Sequence, residues 1–295
     1  MSLKRFRRAR LIASLLLAFV LCFSRGGLSQ PQTFTSGSTG ADGALNITAP
    51  GVTYFNPAAL NLNPAIPNIF NFTTINIAAG STLKLTEEVF HGPVFFLATG
   101  NVSITGTLDL SGAAGSGSTD NQSLRQISYG GSGGYNGGLG GGAGAAPSAG
   151  SGPGGGTAGT TGIGGNGTFI SSQYLVPLVG GSGGGGGFGG CGNNYGGGGG
   201  AGGGAILIAS STSITLNGPS IITAQGGDGA CNGGQGSGGA IRLVSNTVTS
   251  TCGNGCPLIN VLGGNRGNPG GQIRIESFSS NITGNNTTQI GRAHV

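Results

Sequence analysis

Residues 112–204 hold 41 of the chain's 69 glycines, and similar alternating apolar segments stand on both sides of that tract. Glycine has no side chain with which to donate, accept or attack, so a block this rich in it carries backbone chemistry only. Such a tract interrupts a scaffold without supplying a catalytic apparatus. The nature of the scaffold therefore has to be read from the flanks.

After the tract, AILIAS-STSITLNG-PSIITAQGGDG runs from Ala205 to Gly229 and AIRLVS-NTVTST-PLINVLGGN (its loop omitted) from Ala240 to Asn265, and QIRIESFSSNITG opens at Gln272. The starts lie 35 and then 32 residues apart. Before the tract, PVFFLATG-NVSITG-TLDLSGAAG from Pro93 to Gly115 keeps the same order of strand, turn, strand, turn, strand and glycine-rich exit. Short alternation predicts strands with one buried face, and an internal repeat of this length argues for a solenoid. The expected fold is all-β: a parallel β-helix whose coils of three short strands share an inward apolar row, with a long glycine-rich insertion. Ile206 and Ile208 would stack on Ile241 and Leu243, while Arg242 and Arg274 fall in matching outward slots and read as surface charge. A β-sandwich also uses many short strands, but its strands need not repeat in sequence.

The expected divisions are a signal peptide at 1–29, a Pro/Asn-rich leader or cap at 30–69, first solenoid coils at 70–111, the insertion at 112–204 and further coils at 205–289. Residues 290–295, IGRAHV, match one frame of a common sequencing adapter and are expected to be an artefact, with the natural end of the chain missing. Within the insertion, Phe169, Ile170, Tyr174, Leu175, Val176, Leu178, Val179, Phe188 and Tyr195 are apolar anchors, too many for a plain spacer. Runs such as GGSGGGGGFGG are expected to pack as extended, polyglycine-II-like strands with three residues per turn. Disorder is the competing outcome, because so few side chains do little to offset the roughly 1–2 kcal/mol per residue of backbone ordering.

The basic start, Lys4 to Arg10, followed by the apolar run Leu11 to Phe23 and by Gly27 and Ser29, has the form of a secretory signal. An uncleaved anchor is the alternative, although the run is short against the roughly 20 residues of a spanning helix. Removing the segment leaves six Lys and Arg against seven Asp and Glu, a net charge of minus one. No basic stripe remains to neutralise phosphates, so nucleic acid is disfavoured as a partner. The expected address is secreted or cell-surface, after export across the inner membrane, with no membrane span in the mature chain. Four cysteines remain, and in an oxidising compartment they read as disulfides. Cys252 and Cys256 bracket a flexible Gly-Asn-Gly, which leaves Cys191 for Cys231; a zinc site lacks nearby His or acid ligands.

LATGNVSITGTLDLSG, the glycine tract, GGGAILIASSTSITLNG and GSGGAIRLVSNTV together resemble a group of exported glycine-rich bacterial proteins, over roughly Phe70 to Glu276. The resemblance implies export and carries over no catalytic or binding residue. By composition alone the tract is also similar to the glycine-rich tips of phage adhesins.

Candidate chemistry is sparse. Glycoside cleavage needs two facing carboxyls; Glu87 and Glu88 would point to opposite faces of a strand, Asp109 outward, and Asp120 and Asp228 lie in glycine-rich turns. His91 stands before Gly92-Pro93 in a turn, without a nucleophile elbow elsewhere. Matches to Gly-x-Gly-x-x-Gly arise from abundance, and acids are too thin for calcium. No cofactor is expected. The expected function is a non-catalytic exported structural or surface protein, with surface glycans or neighbouring envelope proteins as partners. A carbohydrate-binding or carbohydrate-cleaving β-helix is the alternative, and ice binding by aligned ITLNG and ITAQ threonines is a second.

Overall fold

The computed structural model describes residues 33–62, 64–117, 125–142, 144–191, 195–252, 256–264, 270–281, 285–287 and 290–293. The chain divides into two compact units, Met1–Thr33 and Phe34–Val295. The expected signal peptide, 1–29, lies outside the described residues, and every element below belongs to the second unit.

All regular structure among the described residues is β, with no helix. Strands β1 (Ala44–Ile47), β3 (Ile69–Phe72), β4 (Thr74–Ile77), β6 (Val94–Ala98), β7 (Val102–Ile104), β9 (Ala205–Asn217), β11 (Ala240–Thr251), β13 (Gln272–Asn281) and β15 (Ile290–Ala293) form one sheet of nine. Strands β2 (Gly51–Tyr54), β5 (Ser81–Lys84), β8 (Thr107–Asp109), β10 (Ile221–Thr223), β12 (Leu258–Asn260) and β14 (Asn285–Thr287) form a second of six. Every ladder is parallel. The chain alternates between the sheets and returns to each one position further along.

Register follows the repeat. Phe70, Phe96, Ile208, Leu243 and Ile275 are successive partners in one inward row. Leu83, Leu108, Ile222 and Ile259 form the matching row of the other sheet, and both rows belong to one apolar core. Ile206 and Ile208 lie against Ile241 and Leu243 as the pattern predicts, and Arg242 pairs with Arg274. Gly106, between β7 and β8, sits where an added β carbon would overlap the Ala78 and Ser81 carbonyls, so the stacked turn requires glycine.

The strands add detail to this pattern. Three short strands in succession are seen in β6, β7 and β8, but in the next two repeats the first two strands run on as one, β9 and β11. β9 pairs with β6 through its first half and with β7 through its second, so residues 211–213 lie opposite the turn at 99–101, and a register shift against β11 falls at the same place, between Ser245 and Thr247. Residues 30–69, expected to be a leader or cap, supply β1 and β2, the terminal strands of both sheets, together with the start of β3. Ahead of β1, an extended segment lies across the nine-stranded sheet. Asn246 exchanges hydrogen bonds with the backbone of Phe34, Ser36 bonds Ser211 and the Ala98 carbonyl, and Ser38 donates to the Phe72 carbonyl. Ile290–Ala293, expected to be adapter-derived, pairs as β15 with β13.

The glycine-rich region is ordered by its backbone. Residues 180–188 are its central segment. Gly181, Gly184 and Gly187 donate to the carbonyls of Gly203, Gly200 and Gly197; Gly183 and Gly186 donate to Ser151 and Ser148; Gly185 and Phe188 donate to Gly165 and Gly162. The carbonyls of 181, 184 and 187 accept from Tyr135, Gly138 and Gly141; those of 183 and 186 from Gly156 and Gly159; those of 182 and 185 from Ser237 and Gly234. The segment thus serves six neighbours, each at every third residue, the period of an extended threefold chain. Close approach enforces composition: a β carbon on Gly186 would overlap the Leu139 carbonyl, whereas at Gly162 it would meet nothing. The region is larger than the insertion, because residues 224–239, the exit from β10, join it through Gly227 to Ala201, Gly234 to Gly185 and Ser237 to Ser182.

Candidate functional site

Several of the few charged side chains are engaged with one another. Glu276 on β13 accepts from Arg242 Nε on β11 and from Arg274 Nε on its own strand, both at 2.7 Å. Burial pushes the Glu276 carboxyl up, but hydrogen bonds and charge from Arg242 and Arg274 outweigh it and hold the group below the ordinary carboxylate range. The outward slots read as solvated surface charge are therefore a shared ion cluster. Arg274 also lies 5.2 Å from the Tyr174 ring centroid, on a loop whose Leu175 and Leu178 are buried against Ala205 and Ala240. Lys84 pairs with Asp109 on the neighbouring strand, and Asp109 also caps the Ser111 N–H at 2.8 Å. Asp109 is half-buried, and its carboxylate is committed on both sides.

Two disulfides are present, Cys191–Cys231 and Cys252–Cys256. The first joins the glycine-rich insertion to the loop after β10, two stretches that also share backbone hydrogen bonds. Among the described residues no three His, Cys, Asp or Glu side chains are grouped to hold a metal ion, and no helix is long and apolar enough to cross a membrane.

A cleft of about 250 Å³ opens where the run into β6 meets the glycine-rich region. It is lined by Glu87, His91 and Pro93 from the run into β6, by Tyr135, Asn136 and Ser151, and by Leu178 and Val179 of the loop after Phe169. Glu87 and Glu88 lie in a turn, not on a strand, so the expected opposition of their side chains does not arise. The turn is fixed by Glu87 N–H donating to the Gly130 carbonyl and by Phe90 N–H donating to Thr86. It places Glu87 Oε1 2.9 Å from His91 Nδ1, one helical-type turn on, with the imidazole exposed. Asn136 Oδ1 accepts the Gly130 N–H at 3.0 Å, which fixes the amide with its NH₂ as the remaining donor. The Tyr135 ring rests on the backbone of Gly152, where a β carbon would lie 2.7 Å from Tyr135 Cγ.

The sequence singles out His91 and Glu87 only to set them aside, and gives no sign of Tyr135, Asn136 or Ser151. Glu87 and His91 stand 44 or more residues before Tyr135 and Asn136, Ser151 follows Asn136 by 15, and backbone hydrogen bonds of the glycine-rich region bring them together. Asp109 lies on β8 of the six-stranded sheet, and Asp228 lies in the glycine-rich exit, where its carbonyl accepts from Gly115. Asp120 and His294 lie outside the described residues. The threonines expected to align fall on different sheets: Thr215 stacks with Ser103 and Thr249, and Thr223 with Asp109. Comparison with family profiles, with curated proteins and with solved structures gives no match to this chain.

Proposed function

We propose that the mature chain is a non-catalytic, exported structural protein of the cell surface: a parallel β-solenoid bearing a polyglycine-II-like bundle that displays a rigid, nearly neutral surface. The observation that carries this reading is the threefold hydrogen bonding around residues 180–188, which invests about a third of the chain in rigidity. The pairing of Lys84 with Asp109 and of Arg242 and Arg274 with Glu276 supports it, since these charges hold strands together. Two disulfides suit an extracellular address.

Protease treatment of intact producing cells tests the reading. The expected result is a surface-exposed chain whose glycine-rich region resists digestion until the disulfides are reduced. A chain protected inside intact cells overturns export. Release of reducing ends from polysaccharides, lost in Asp109→Asn or Asp228→Asn, overturns the non-catalytic part. Carbohydrate binding is kept as a second reading because of the cleft at Glu87 and Tyr135.

A further inference from the structure

We infer that the cleft between Glu87 and Ser151 is a binding subsite for one neutral pyranose ring of an extracellular glycan. The inference rests on the surface reading above and names its ligand. Three observations converge on it.

Size comes first. At about 250 Å³ the cleft lies just below the roughly 300–1,000 Å³ of sites for drug-sized molecules, room for a single ring but not for a peptide segment.

The second observation is the set of polar groups. Glu87 uses Oε1 on His91 and keeps Oε2 as an acceptor. Asn136 has its carbonyl oxygen committed to Gly130 and keeps its NH₂ as a donor. Ser151, whose own N–H donates to the Asn136 main-chain carbonyl, presents a hydroxyl that does either. A fixed acceptor, a fixed donor and a rotatable hydroxyl around one small space match a ligand whose groups are all both donor and acceptor, which is the property of a polyol. An anionic sugar is disfavoured by the Glu87 carboxylate, and a wholly apolar ligand would leave that carboxylate desolvated without a partner.

The third is the apolar complement. Pro93, Leu178, Val179 and the Tyr135 ring supply surface for the C–H faces of a pyranose, and the aromatic group carries a hydroxyl at its edge. The walls are preorganised: Tyr135 N–H donates to the Gly181 carbonyl of the central segment, so the ring stands on the most heavily bonded part of the molecule. Ordering the site on binding therefore costs little.

Methyl glucoside, methyl galactoside, N-acetylglucosamine and galacturonic acid, each titrated into the disulfide-intact mature chain, test the inference by NMR of the His91 imidazole and Tyr135 ring signals. The expected result is saturable shifts of both with at least one neutral sugar and weaker binding of galacturonic acid. Glu87→Gln is expected to weaken the neutral sugar about 10-fold, the loss of one charge-assisted hydrogen bond. Ser151→Trp, at an exposed wall, is expected to fill the cleft and abolish binding while the thermal midpoint stays within a few degrees. No shift with any sugar, equal or tighter binding of galacturonic acid, or binding unchanged in both variants would each overturn the subsite. A surface-exposed chain that binds no sugar removes only this inference, whereas sugar binding by a chain held inside the cell removes only the export reading.

Discussion

The sheet region and the glycine-rich region of this protein are both built from extended backbone, yet they are held by opposite means. In the sheets a strand is hydrogen-bonded only along its two edges, and the faces left over are filled by side chains. Phe55, Phe70, Phe72, Phe90 and Phe96 meet there at centroid distances from 4.9 to 6.0 Å. In the glycine-rich region the backbone itself occupies every direction, six neighbours to a segment, and a side chain becomes an obstacle. A strand alternates between two sides, whereas a threefold chain turns its peptide groups through about 120° per residue. Removing the β carbon is what converts one mode of packing into the other.

The sharpest way to break the contrast is to take atoms away from one region and add them to the other. Phe70→Ala leaves a cavity in the aromatic cluster and is expected to destabilise by about 3–5 kcal/mol in denaturant titration. The deletion should raise amide exchange in β3 and β6 before residues 180–188. A single added methyl should be nearly as severe in the other region. Gly186→Ala forces the Leu139 carbonyl aside at a cost of about 3 kcal/mol, while Gly162→Ala, facing open space, should change the midpoint by no more than about 1 kcal/mol. Equal tolerance of the two substitutions would dissolve the distinction drawn here.

Cross-links refine the comparison at smaller scale. Opening Cys191–Cys231, which closes a separation of 40 residues, is expected to cost up to about 4 kcal/mol by chain entropy. Opening Cys252–Cys256, with a separation of 4, is expected to cost about half as much. Paired Cys→Ser variants followed by thermal melts give the ranking. The smallest effect is electrostatic and belongs to the sheets. Because the folded Glu276 carboxyl is held below its ordinary value of 4.5, its stabilisation is complete above that value and disappears as pH falls through the folded one. The gap in thermal midpoint between the parent chain and Glu276→Gln should therefore be widest at neutral pH and close in strong acid.

The sheet ladder was legible because side chains announce it. Ile206, Ile208, Ile241 and Leu243 recur at fixed offsets, and the offsets are the register. The long β9 was not legible, because a bulge at Ser210–Ser213 and a turn at Thr99-Gly100 share the same small, polar vocabulary. In the glycine-rich region the period of three is a property of hydrogen bonds, and glycine has no side chain in which to record a partner. Membership of residues 224–239 was hidden for that reason. The cleft was hidden twice over: alternation suggested a strand at Glu87, and the other walls depend on contacts that only the bundle creates. The segment across the nine-stranded sheet was missed because Ser36 and Ser38 look like linker residues until Ala98, Ser211 and Asn246 are beside them.

The central segment also sets a schedule for folding. Residues 180–188 need Tyr135 and Gly138 from before them, and Gly197, Gly203, Gly234 and Ser237 from after, so no shorter nascent chain can complete their bonds. Asn246 must then arrive before Phe34 can be fastened, a closure spanning 212 residues. Contacts this distant in sequence form slowly, so the glycine-rich region is completed only after the last third of the chain has been made.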